Sequence, residues 1–231
     1  MTDFLDRPIL SAWVYKKCVR NDPHIFPKAT AMGVQRIHIS LEAFELAYQT
    51  ILGSGLDVEI TLGTPEWALS DDANLDRFKE GVERARVDGV RVHLDIEPWA
   101  DPAWKKMSNE EKAACLMRMA SLLAYAREKT KKDVSLAVVN QLSKIKLHGG
   151  LSGDEYLADK ADSIVLMDYR SDSNAVIISA AQWALHKNHD ITVGVNIPKG
   201  KTKENAKAHA QKLIQQRFIT GIALHPLGDF V

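Results

Sequence analysis

The sequence predicts an α/β fold, a (β/α)8 TIM barrel that lacks its eighth helix. Three observations carry this. Eight short runs rich in Val and Ile recur along the 231 residues, as strands buried on both faces of a parallel sheet require. Segments with apolar residues at helical spacing lie between them. A glycine or a short polar turn precedes many strands: Gly33, Gly55, Gly89, Lys132 with Asp133, and His189 with Asp190. Such residues make helix-to-strand turns. Alternating strands and helices imply a parallel sheet, and eight units imply closure. An open doubly wound sheet normally has fewer strands and a glycine-rich first turn, and "VYKKCVRND" has no glycine.

In chain order the predicted strands are 8–15, 34–40, 56–62, 90–97, 133–140, 162–169, 190–197 and 219–226. The predicted helices begin with a short segment at 23–32 and continue at 43–52. The next, 74–87, puts Leu75, Phe78, Val82 and Ala85 on one face. The longest, 108–130, opens on Ser108 with Glu111, the spacing of a capping box. The crossover over 141–160 has only one short helix, near 153–160. Helices at 173–187 and 203–216 complete the set. After the last strand only "LGDFV" follows, too short for a helix. An apolar strip between the first and last strands is therefore expected, covered by the N-terminal residues or by a second subunit of a homo-oligomer. No linker or repeat divides 1–231, so one barrel domain is expected, within the usual length of such barrels.

Composition narrows the function. With 30 basic and 30 acidic residues and no basic block, nucleic acid is excluded as an expected partner. Acidic substrates are not, because a site can be charged on a neutral surface. Cys18 and Cys115 lie far apart with no C-x-x-C spacing, which suits free buried thiols in a reducing compartment. The start "MTDFLDRPILSAW" has no basic region followed by an apolar one, and no run is long enough to span a membrane. A cytoplasmic protein with no membrane partner is expected.

In a barrel of this kind, chemistry sits at the C-terminal ends of the strands. On the fourth strand His93, Asp95 and Glu97 share parity and point inward, with Glu97 nearest the mouth. An inward carboxylate is costly unless paired or hydrogen-bonded. Asp95 has two readings: a structural group bonded to His93, His38 or a tyrosine, or a charge that raises the pKa of Glu97 above it. A carboxyl protonated near neutral pH is what a general acid requires. Other strand ends supply Trp13 and Tyr15, His38 and Ser40, Asn140, Met167 and Tyr169 followed by Arg170, Asn196, and His225. The loop after the third strand supplies Glu66 and Trp67. Trp67, Trp99 and Trp104 are either stacking platforms for sugar C–H faces or the packed rim of the core.

"LDIEP" at the end of the fourth strand and "LMDYR" at the end of the sixth resemble the glycoside hydrolase family 18 (chitinase-like) barrels. That family carries D-x-D-x-E and M-x-Y-D patterns at these places. The chain also resembles a little-characterised group of bacterial barrel proteins with "PEWAL", "LDIEP" and "MxYR" segments, here Pro65 to Leu69, Leu94 to Pro98 and Met167 to Arg170. The resemblance implies a glycosidase-like hydrolase acting on a small saccharide or glycoconjugate. Glu97 would protonate the glycosidic oxygen, Asp95 would orient the acetamido group whose carbonyl attacks, and Tyr169 would bond that group. This route needs no second protein nucleophile. His93 replaces an aspartate of the pattern, Arg170 replaces another, and His225 with Pro226 stands where a tryptophan closes the eighth strand. Arg170 implies an anionic substituent on the ligand, or else a salt bridge to Asp168, Asp172 or Glu97. A barrel that binds a ligand without turning it over is the alternative.

The expected catalytic set is therefore Glu97, Asp95 and Tyr169. The expected substrate-binding set is Arg170, His93, Trp13, Tyr15, Glu66, Trp67, Asn196 and His225. No cofactor and no metal is expected, because His38, His93 and His225 show no spaced ligand motif. "GVNIPKGKTKEN" falls one residue short of P-loop spacing, since Gly194 comes too early, and reads as a solvated helix start. A phosphate- or metal-dependent barrel enzyme is the remaining third reading, with Lys199 and Lys201 at that start or with His38, His93 and His225 converging near Asp95 and Glu97. "GGLSGD" is not a nucleophile elbow, with Asp154 where a glycine is needed.

Overall fold

Eight parallel strands close into a barrel in sequential order, β1-β2-β3-β4-β5-β6-β7-β8. This is a computed structural model that describes residues 9–169, 172–186, 191–197 and 202–230. The strands are β1 (Ile9–Val14), β2 (Arg36–Ser40), β3 (Asp57–Leu62), β4 (Arg91–Leu94), β5 (Val134–Val138), β6 (Ser163–Leu166), β7 (Ile191–Val195) and β8 (Ile219–Leu224). Each predicted run contains one of them. Helices α1 (Lys16–Asn21), α2 (Ile25–Ala31), α3 (Leu41–Leu46), α4 (Tyr48–Leu52), α5 (Glu66–Leu69), α6 (Asp76–Asp88), α7 (Asn109–Thr130), α8 (Gly153–Lys160), α9 (Ser173–His186) and α10 (Lys203–Ile214) form the outer ring.

Local chemistry explains several boundaries. The Ser108 hydroxyl accepts from the Glu111 N–H at 3.2 Å, and Glu111 accepts from the Ser108 N–H at 2.6 Å. This capping box satisfies two donors at the start of α7. The predicted helix over 43–52 is two helices, because Ala47 leaves helical geometry at φ −116°. The chain entering β2 holds an additional helix, α1, for which the short polar run "KKCVRN" gives no apolar stripe. A wide outer core fills the space between barrel and helices, with Phe26, Phe44, Phe78 and Trp183 almost wholly buried.

After β8 the described chain makes only a 3-10 turn, Leu227–Asp229, as the short tail required. The expected exposed strip is not exposed. Ala12 and Val14 of β1 and Ile222 and Leu224 of β8, which face outward, are all buried. Leu227 and Phe230 are buried as well, and the turn packs beside β1, with Gly228 near Cys18. The turn thus lies against β1 while α10 lies behind β8, and the N-terminal residues 1–8 expected to cover the strip lie outside the described residues. No described helix is long and apolar enough to cross a membrane.

Candidate functional site

The inward-facing side chains sort into two polar compartments with an apolar plug. The plug is Trp13, Ala137, Val165, Met167 and Ala223. Trp13 is fully buried, and its ring lies 5.0 Å from His38, 5.9 Å from His93 and 5.1 Å from His225. It therefore stands between the mouth of the barrel and a polar belt below.

At the mouth, β4 ends at Leu94, so Asp95, Ile96 and Glu97 splay out of the sheet. Asp95 is still anchored, because its N–H donates to the Leu62 carbonyl at 2.9 Å. Gly63 makes this approach feasible: a Cβ there would sit 1.9 Å from the Asp95 carbonyl oxygen. Gly63→Ala must shift one backbone or the other. We expect it to cost about 1–3 kcal/mol in chemical denaturation, in the range of an overpacked site. A midpoint equal to that of the parent chain would show that the approach is not required.

Asp95 and Glu97 share the mouth with four aromatic or imidazole groups. Tyr15 Oη is bonded to His225 Nε2 at 2.8 Å. Tyr169 stacks on His225 with ring centroids 5.3 Å apart. Gly194 leaves room for that tyrosine, since a Cβ there would meet its ring at 2.9 Å. Trp99 Nε1–H donates to Glu97 Oε1 at 3.1 Å. Burial raises the Glu97 carboxyl above its ordinary value, and the Trp99 bond partly opposes this. Burial, and then the charge of Glu97, push Asp95 up to about 7. Both carboxyls are thus held above their ordinary values, and the pair keeps a proton toward neutral pH. Burial also holds both tyrosines above their ordinary range and His225 below its own. The Asp95 Oδ1 and Tyr169 Oη atoms are buried without any hydrogen-bond partner. Two unmet polar atoms at one site are what a polar ligand group would satisfy.

The belt below is built from Ser11, His38, Glu59, His93 and Ser135, all buried. Glu59 Oε2 lies 3.0 Å from His38 Nδ1 and accepts from the Ser135 hydroxyl at 2.7 Å. Its Oε1 faces Arg91 at 3.2 Å and Arg36 at 3.6 Å. Asp57 pairs with both arginines at the N-terminal rim. Burial would raise the Glu59 carboxyl, but His38, Arg36 and Arg91 hold it well below the usual range. Burial, then His38, keeps the His93 imidazole far below its ordinary value, so it is neutral. The suggested bonding of Asp95 to His93 or His38 is absent: Asp95 Oδ1 has no partner, and the rings bond through His38 Nε2 to Ser11 and through His93 Nδ1 to Ser135.

A cavity of about 250 Å³ opens at the mouth beside β2 and β3, lined by Tyr15, Ser40, Thr61, Trp67, Arg77 and Asp95 among others. Of the predicted site residues, Tyr15, Trp67 and Asp95 reach it. Trp67 is also packed on Phe78 with centroids 5.5 Å apart, so it serves the core and the cavity wall together. Trp13 and His93 are buried beneath the mouth. Glu66 is exposed at the start of α5, outside the cavity lining. Asn196 is half-buried just past β7, on the parity of Gly194. Trp104 is buried, with the Lys112 ammonium 5.7 Å over its ring. Arg170, Lys199 and Lys201 lie outside the described residues.

Sequence reasoning missed Glu59, Thr61, Ser11, Ser135 and Arg77. A signal was present for the first two. Arg36, His38 and Ser40, then Asp57, Glu59 and Thr61, then Arg91, His93 and Asp95 alternate on consecutive strands. That pattern marks polar groups facing the barrel interior, where each needs a partner.

Solved structures share this architecture. A family 18 glycoside hydrolase chitinase from Pseudoalteromonas aurantia superposes at a TM-score of 0.61 with 12% identity, covering 94% of this chain and 93% of that one. An exo-beta-1,3-glucanase of family 128 from Aureobasidium namibiae gives a TM-score of 0.57 with 13% identity, covering 96% and 84%. A glucosidase from Croceicoccus marinus gives 0.52 with 13% identity, covering 80% of this chain and 45% of that one. No protein-family model matches the sequence, and no curated protein matches it. At these identities the likeness is one of fold: the chain is a (β/α)8 TIM barrel similar to those of glycoside hydrolases, the family 18 chitinase among them.

Proposed function

We propose that this barrel is a glycosidase-like hydrolase of a small saccharide or glycoconjugate, with Glu97 as its general acid. One observation carries the proposal. Asp95 and Glu97 stand together at the strand ends in poor solvation, and Asp95 Oδ1 with Tyr169 Oη are buried and unpartnered beside them. A carboxyl pair that holds one proton near neutral pH can deliver it to a leaving oxygen. Protonated Asp95 can give or take a hydrogen bond, and the Tyr169 hydroxyl can donate one. Together they would hold a polar substituent such as an amide next to the bond being broken. Tyr15, backed by His225, would close the opposite wall of the cavity. The glycosidases that share the fold support the reaction class, and the substrate itself is part of the proposal.

A panel of aryl glycosides and short oligosaccharides tests this directly. Hydrolysis of at least one member is expected. Tyr169→Phe is expected to weaken transition-state binding by about 1–3 kcal/mol, as when a buried partner is lost, read as reduced kcat/KM on that substrate. Binding across the panel with no cleavage would instead establish a ligand-binding barrel without turnover. One observation favours that second reading: Glu97 is not among the residues lining the cavity that Asp95 and Tyr15 reach.

A further inference from the structure

We propose that His38, Glu59 and His93 form a divalent-cation site of the zinc type inside the barrel, beneath Trp13. It is separate from the mouth and does not depend on the function proposed there. One donor atom from each residue lies within 4.8 Å of the others, and all three side chains are buried.

Counting hydrogens makes the case. The Ser135 hydroxyl has one hydrogen and gives it to Glu59 Oε2 at 2.7 Å. The 2.7 Å contact between Ser135 Oγ and His93 Nδ1 must then be donated by the imidazole. A neutral His93 carries only one ring hydrogen. Its Nε2 is therefore a bare lone pair, and it is buried with no partner. The Ser11 hydroxyl likewise donates to the Ile222 carbonyl at 3.3 Å. His38 Nε2 must then donate to Ser11 Oγ at 3.2 Å. That turns His38 Nδ1 toward Glu59 Oε2 at 3.0 Å, and Nδ1 makes no hydrogen bond there. In a neutral His38 these are two lone pairs facing each other. A second proton on His38 would relieve that clash but leave His93 Nε2 unmet. A cation on the three converging lone pairs satisfies all of them.

The surroundings fit such an ion. Two imidazoles and one carboxylate are a zinc ligand set, completed by water or another donor. Ser11 and Ser135 hold the outward nitrogens of both rings, as supporting groups do at metal sites. Tetrahedral zinc ligands stand roughly 3.3 Å apart. The His38–Glu59 pair is already at 3.0 Å, and the His93 donor atom lies within 4.8 Å of both. Arg36 and Arg91 on Oε1 reduce the attraction for a cation. Asp57 and Glu59 balance their two charges, so the ion joins a neutral base.

The full-length chain, depleted of metal with a chelator and titrated with Co(II), tests the proposal. We expect one equivalent bound, a tetrahedral ligand-field spectrum, displacement by Zn(II), and a melting midpoint raised by several degrees. His93→Gln should lose the spectrum, and His148→Gln, which removes an exposed histidine, should keep it. Ser135→Ala keeps all three ligands and covers the case in which His93→Gln does not fold. It should bind about 10- to 100-fold more weakly. A chain that takes up no ion and melts at an unchanged midpoint would overturn the site. So would equal Co(II) binding by the parent, His93→Gln and Ser135→Ala chains.

Discussion

Glu97→Gln is expected to lower kcat about 100- to 10,000-fold, the usual contribution of a positioned general acid. The amide keeps the size of the carboxyl and can still accept from Trp99 Nε1–H, so the fold and the mouth should be unchanged. Only the transferable proton is lost. KM should stay close to that of the parent, because the unmet atoms of Asp95 and Tyr169 remain in place. Substrates with good leaving groups need little protonation, so activated aryl glycosides should be affected least. The measurement is steady-state kinetics on activated and unactivated substrates, with circular dichroism to check the fold. Turnover of both by Glu97→Gln at the parent rate would remove Glu97 from the chemistry.

Asp95→Asn is expected to raise stability above neutral pH while damaging activity. In the folded chain Asp95 titrates at about 7, against an ordinary 3.8. Between those values the folded state keeps a proton that the unfolded chain has released. Stability therefore falls as pH rises through this window and levels off above it. At about 1.4 kcal/mol per unit the full difference is about 4 kcal/mol, an upper bound because cavity water reaches Asp95. Asparagine carries no such titration. The variant should match the parent near the low end of the window and exceed it by up to that amount at the high end. Urea titrations at several pH values measure this. Activity should move in the opposite sense. In the parent, the pair sheds its last proton near 7, so kcat/KM falls as pH rises past that point. Without Asp95 that limb should shift toward the lower value set by the burial of Glu97 alone. A limb that stays near 7 in the variant would assign it to another group.

The barrel was legible because eight apolar runs, their spacing and the turns between them all state one period. The site was half legible. Asp95 and Glu97 stand out because acidic residues at the inward positions of a buried strand conflict with burial. How strongly each carboxyl is perturbed was not legible, because it depends on depth and on Trp99, a neighbour that the strand pattern does not place. The belt around Glu59 escaped for a related reason. Within "LDVEITL" the glutamate looks like one polar position of an alternating strand. Only closure of the sheet brings it to His38, Arg36, Arg91 and Ser135 from three other strands. The break at Ala47 is likewise a matter of backbone geometry at a residue that favours helix.

The turn that follows β8 has a mechanical meaning. Helix α10 lies behind β8, and the three-residue turn with Phe230 lies against β1. Segments with the least buried backing open most easily under thermal motion. The turn is backing of this kind for β1, and β1 and β8 lead into Tyr15 and His225. Loosening of that backing would act on the 2.8 Å contact between those two side chains at the mouth.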